Sequence, residues 1–272
     1  MALLRKAGYI LSLCWHYGVQ KQKMDMAYRG DWFFSVIVSL GYTGLQLFFL
    51  WALFSRTHSL GGWTLPQVIL MFGFSQLSFG YFSVAFFELA NNMADFYILE
   101  GNLDRPLLRP FSPLAQLVME NINLRDSQVI IKGMAIVWWA LAHLDPPQRM
   151  TLGIFLGANV LAMIGACVYA GVFLIVCSLN FWVKDRVGLV NPLFSVNEAS
   201  RYPMTIYSPL VRGVFTYAIP FAFCAFYPAA YMTDPGTWGK WLALGPLVAA
   251  AELTIGLTVF HRGLRVYEST GS

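Results

Sequence analysis

Two carboxylates stand where the chain is otherwise too apolar to hold a charge. Glu252 follows three alanines in the run from about Trp241 to Phe260, and Glu88 lies near the end of the run from about Leu65 to Leu89. An ionisable group in such a run is costly in lipid and marks a proton or ion site, a substrate contact or a bond to a neighbouring helix. Neither has a second ligand at metal spacing. His16, His58, His143 and His261 fall in separate segments without an HExxH pattern, and no GxSxG nucleophile turn occurs. Cys14, Cys167, Cys177 and Cys224 form no CxxC pair; the last three sit in apolar runs, where a thiol acts as a small hydrophobe. The GxxxxGK[ST] phosphate loop is missing, and GTWGK at Gly236 to Lys240 lacks its spacing. Hydrolase, metalloenzyme and self-contained ATPase chemistry are poorly supported.

A different kind of site is carried by EGNLDRPLLRPFSP, Glu100 to Pro113, the largest polar break in the chain. Asp104 can cap a turn that Pro106 helps to start and Pro110 stops. In such a turn Leu103 and Leu107 share one face with Leu108 beside them, and Arg105 and Arg109 share the next. This short, two-faced knuckle is suited to a soluble partner's grip, or to anchoring a loop at lipid headgroups.

The elements that must position these residues are membrane helices. Of 272 residues, 57% are hydrophobic and 12% charged, against roughly 25% charged in a soluble domain. Mean hydropathy is +0.57. Residues 1–30 alternate apolar clusters with Arg5, Lys6, Lys21, Lys23 and Arg29, which fits a helix lying in the interface on the cytoplasmic side. The N-terminus lacks a signal peptide's apolar core and cleavage site and is expected to stay on the protein. Residues 31–272 then form a six-span domain, with spans at about Trp32–Phe54, Leu65–Leu89, Val129–Leu144, Leu152–Trp182, Ser208–Met232 and Trp241–Phe260. Polar loops occupy 90–127 and 183–212. Lys132 is expected to snorkel at the inner end of the third span, and Glu88 to lie close to Arg105 or Arg109. Pro220 and Pro228 prevent one straight fifth helix, and the backbone groups they free need protein or water partners, as in a short re-entrant piece. Gly153 and Gly157 form a GxxxG pair for helix packing. With both termini on one side, fifteen of the 18 basic residues share that side, Arg201 and Arg212 among them, while Arg56, Arg149 and Lys240 lie opposite. The positive-inside rule therefore puts the termini and both polar loops in the cytoplasm.

The order of elements, GNLDRPLLRPFSPL between spans two and three, and RYPMTIYSPLVRGVFTYAIPFAFCAFYPAAY across span five resemble the ABC-2 type permease subunits of bacterial ABC exporters. The likeness is to the branch with a G-x-L-D-x-x-L-L-R-P loop, and it covers essentially the whole chain. It implies an all-α, six-helix permease of the type V exporter kind in the bacterial inner membrane. The implied partners are a second permease, identical or different, and two separately encoded ATP-binding subunits that carry ATP and Mg; this chain holds no cofactor. Membrane lipid surrounds it, and no nucleic acid is implied. Glu100, Leu103, Asp104, Arg105, Leu107, Leu108 and Arg109 become the expected contacts with the ATPase. Tyr217, Phe221, Phe226 and Tyr227 are placed near the exit of the path, with Glu252 a further path residue. The competing class is a carrier driven by an ion gradient through Glu252, although no inverted repeat supports it; a membrane scaffold without transport is a third. The substrate stays open among amphipathic or lipid-like molecules, antibiotics and hydrophobic peptides.

Overall fold

A computed structural model describes residues 29–109, 112–183, 188 and 190–268. The interfacial helix expected ahead of residue 29 lies outside the described residues. Among these, the chain is helical with one isolated bridge, Leu60 to Trp63, in the first hairpin. Helix α1 is Arg29–Phe54 and α2 is Leu65–Leu99. The one-turn α3 (Asp104–Leu107) and the amphipathic α4 (Pro113–Glu120) lead to α5 (Ser127–Ala142). Helix α6 (Leu152–Ser178) is followed by α7 (Val190–Ala199), α8 (Pro209–Gly213), α9 (Phe226–Thr233) and α10 (Pro235–Val266). Among the described residues, four stretches are long and apolar enough to cross a membrane: Phe33–Phe54, Leu65–Leu99, Leu152–Phe181 and Pro235–Val266. The protein is a multi-pass membrane protein.

The core is built by α2, α5 and α6, with α10 against α6. Helix α2 begins at Leu65, with Pro66 in its first turn and the Gln67 side chain accepting the Thr64 N–H at 2.9 Å. It then runs ten residues beyond the expected end at Leu89, through Asn91 and Asn92. Those asparagines do not start a loop because the segment after α4 supplies partners. Two wide π-helical stretches, Ser83–Phe87 and Met93–Leu99, free carbonyls. The Val84 carbonyl accepts the Asn123 N–H at 2.9 Å, Asn92 donates to Asn121 at 3.2 Å, and Asn121 donates to the Tyr97 hydroxyl at 2.6 Å. Glu88 accepts from Asn123 at 3.1 Å in place of the expected arginine pairing. Lys132 does not snorkel. Its ammonium donates to Ser39 and, at 3.2 Å, to Thr43, both on α1.

The largest departure concerns 183–212, expected as a loop on the knuckle's side. From α7 onward the chain climbs the bundle toward the α1–α2 hairpin. Phe194 packs on Phe79 and Phe87, Arg201 lies over the Phe72 ring, and Thr205 accepts from the Trp63 indole at 3.0 Å beside Gly61. Residues 190–206 therefore run along the bundle from the level of Phe87 to that of Trp63, and Arg201 and Arg212 lie toward the α1–α2 hairpin rather than the knuckle. Asn191, Pro192, Glu198 and Arg201 disguise this ascent as a loop.

What the sequence places as span five is a hairpin that dips back into the bundle. Ser208 caps α8, its hydroxyl accepting the Val211 N–H. The chain descends to Phe221 against Tyr169 and Phe173, turns, and returns through α9 to the Gln148 loop. The groups freed at the turn find protein partners: the Cys224 carbonyl accepts from Ser78 at 2.8 Å, and its thiol donates to the Gly165 carbonyl at 3.3 Å.

Asp234 starts α10, accepting from the N–H groups of Gly236 and Thr237 at 3.1 and 3.3 Å. The Thr237 hydrogen bonds hold its carboxyl below the usual range. A carboxyl depressed on folding stabilises above its unfolded pKa, and that contribution is lost as pH falls through the folded value. Asp234→Ala is thus expected to lower the melting temperature at pH 7, with the variant and the parent converging in acid. A difference in melting that is the same at pH 3 and pH 7 would refute the capping role.

Candidate functional site

The knuckle is set by the end of α2. The Leu103 N–H donates to the Tyr97 carbonyl at 3.0 Å and that of Glu100 to Asp95 at 3.0 Å; Gly101, at φ 75°, permits the reversal. Leu103, rather than Asp104, occupies the cap position of the turn. Its side chain is fully buried, so it holds the knuckle down and touches no partner. Leu108 is 86% exposed and Leu107 40%, with Arg105, Arg109 and Glu100 also on the surface. Arg109 pairs with Glu120 of α4 at 3.3 Å, and Gln116 steadies the same carboxylate at 2.9 Å. Phe96, 43% exposed on the last turn of α2, joins the surface at this end. It escapes a sequence reading that ends α2 at Leu89.

Three long helices end here. Tyr267, just past α10, meets the Phe181 ring at 6.2 Å, and Phe181 follows α6. Burial, and then the neighbouring Asp104 carboxylate, push the Tyr267 hydroxyl up to about 12. The knuckle therefore adjoins α2 through backbone hydrogen bonds, and Asp104 neighbours Tyr267, which packs on Phe181. The knuckle thus presents exposed leucines between arginines on a turn braced by its neighbours.

The sequence matches the family described as ABC-2 family transporter protein over residues 40–271. The chain belongs to that ABC-2 transporter family. No curated protein and no solved structure matches it. An ABC-2 protein is a membrane transport component and works with ATP-binding subunits, which gives the knuckle of this permease its context.

The residues the sequence assigns to the permease's path separate in the structure. Phe221, Phe226 and Tyr227 are buried where the hairpin packs on its neighbours, Phe221 on α6 and Phe226 on Trp63 and Trp238, with Tyr227 stacked on Trp241 at 5.4 Å and facing the Thr216 hydroxyl at 3.2 Å. Tyr217 alone of this set is exposed, at 74%. Glu252 lies on α10 against Gly171 of α6.

Sequence reasoning missed the charged pair of the ascent at 190–206. Glu198 accepts from the Tyr42 hydroxyl, and Arg201 donates to Gln46 at 3.1 Å, both partners on α1. With Arg125 on Ser35 and Lys132 on Ser39 and Thr43, they form a polar ladder along one face of α1. The signal available was the spacing of Ser35, Ser39, Tyr42, Thr43 and Gln46, which is helical and falls on one face of an otherwise greasy span. Between α1, α2 and α7 this leaves a cleft of ≈ 330 Å³.

Proposed function

We propose that the chain is the membrane-spanning subunit of an ATP-driven exporter in a bacterial cytoplasmic membrane, with both termini and the knuckle in the cytoplasm. It forms the path with a second permease and is driven by two separate ATP-binding subunits, which hold ATP and Mg. The observation that carries this reading is the knuckle, where Leu107 and Leu108 are presented outward while Leu103 and the Tyr97 carbonyl lock the turn to α2. A surface meant for headgroups alone has no need of two outward leucines on a braced turn. Moving Arg201 and Arg212 off the knuckle's side leaves the excess of basic residues there, which supports the same orientation.

ATP binding closes the ATPase pair and carries the knuckle with it. The motion passes to α2, α6 and α10 and shifts the permease pair from inward-open to outward-open. Such a shift is only as large as the difference in affinity of the ATPase for the two states, so the grip on α3 must differ between them. The test is recovery of the tagged protein from native membranes in mild detergent, with mass spectrometry and an ATPase assay on the eluate. An ATP-binding subunit with vanadate-sensitive activity is the expected result, and a second permease chain in the eluate would decide between identical and different partners. Recovery of the chain alone, without ATPase activity, would refute the reading and turn attention to Glu252.

A further inference from the structure

The cleft between α1, α2 and α7 lies one to three turns inside the hairpin end, with Phe49, Leu50, Val68 and Tyr202 among its walls and Arg201 and Glu198 at one side. Its ≈ 330 Å³ is within the range of small-molecule sites. A guanidinium and a carboxylate at this depth are costly unless paired closely or used. They are not paired closely: Arg201 Nη1 stands 3.9 Å from the Glu198 carboxylate, beyond hydrogen-bond reach. The side chain of Arg201 is only 13% exposed, whereas that of Glu198 is half exposed and already holds Tyr42. The buried Nε–H of Arg201 has no hydrogen-bond partner among the described residues. The guanidinium is held instead by the Gln46 oxygen on one edge and the Phe72 face at 5.7 Å. It is oriented, with the Glu198 carboxylate at 3.9 Å offsetting part of its charge without a hydrogen bond, and its fork geometry suits two oxygens of one acid group.

We infer that this cleft binds an amphiphile with a single acidic head, a carboxylate or phosphate monoester, whose oxygens take the Arg201 fork while its chain lies along Phe49, Leu50 and Val68. That the ligand is the cargo rests on the exporter reading; that it binds does not. Helix α1, which supplies one wall, buries little of its apolar surface, and the polar ladder is what ties it to the body.

The test uses the full chain in nanodiscs without ATP-binding subunits, so that its outcome is independent of coupling. The fluorescent probe 11-(dansylamino)undecanoic acid is displaced with dodecanoic acid, dodecyl phosphate, dodecanol or dodecylamine. Both acids, or one of them, are expected to displace it at concentrations at least tenfold below dodecanol, the stronger acid identifying the head group. Arg201→Gln should erase that advantage and leave dodecanol unchanged, while Arg201→Lys, which keeps the charge and loses the fork, retains only part of it. Ala199→Trp, which narrows the cleft with Arg201 intact, should weaken acid and alcohol alike. It serves as the second variant should Arg201→Gln not purify as a single species. Absence of probe binding, equal displacement by acid and alcohol, preference for the amine, an acid advantage that survives Arg201→Gln, or no change in Ala199→Trp would each overturn the assignment. ATPase recovery from native membranes judges the exporter reading separately.

Discussion

Replacing Leu107 and Leu108 together with Asp is expected to abolish transport and substrate-stimulated ATPase activity in the assembled exporter while leaving membrane insertion and the fold intact. Both halves follow from exposure. Leu108 is 86% exposed and Leu107 40%, so the isolated chain loses little packing. In a complex that buries them, each leucine contributes about 1.5–3 kcal/mol, and each aspartate would bring an unpaired carboxylate into the interface at a further cost. The loss of ATPase association should therefore be about hundredfold or more. It is read as the fraction of ATP-binding subunit retained on the tagged variant and as the vanadate-sensitive rate of the eluate. Leu103→Asp is the contrasting variant, because that side chain is fully buried and its replacement should cost stability as well as coupling. Unchanged transport in the double variant would remove the knuckle from the mechanism.

The contrast between Leu103 and Leu108 also shows what could be read from the sequence and what could not. The turn, its prolines and its leucines are local, and spacing alone places them. Which leucine is the anchor depends on the Tyr97 carbonyl, and so on α2 continuing to Leu99. That continuation rests on Asn123 and Asn121, some thirty residues downstream, occupying the groups that Asn92 and the π turns expose. The same limit hides the ascent of 190–206 along the bundle. A window over 190–206 shows Asn, Pro, Glu and Arg and averages to a loop, yet Asn197 is met by Tyr169, Glu198 by Tyr42 and Arg201 by Gln46. Hydropathy counts the cost of each polar residue and is blind to the partner that offsets it. The long apolar helices were legible because their pattern needs no partner, and the charged wall of the cleft was not because each of its polar groups does.

The second large effect belongs to the seam between α6 and α10. A Cβ on Gly171 would lie 2.5 Å from the Glu252 carbonyl carbon and 2.8 Å from the Leu253 nitrogen, both backbone atoms that cannot rotate aside. One turn along, a Cβ on Gly256 would stand 2.9 Å from the Gly171 oxygen, so the helices have no slack to slide into. Gly171→Val must then push α10 away from α6 along several turns. Overpacking a core costs about 1–3 kcal/mol and more when backbone must move. The expected result is loss of the single monodisperse species in detergent gel filtration, with a melting temperature lowered well beyond that of Gly157→Val on the same helix. Gly157 has nothing within 4 Å of its would-be Cβ and should tolerate the change, which separates helix propensity from the seam. This result bears on coupling too. Helix α10 touches the knuckle through Tyr267 beside Asp104, and α6 through Phe181, against which Tyr267 packs. If the seam transmits motion as one rigid pair, a milder Gly171→Ala that still purifies should lose transport in greater proportion than ATPase association. Equal losses of the two would mean that the seam only holds the permease together.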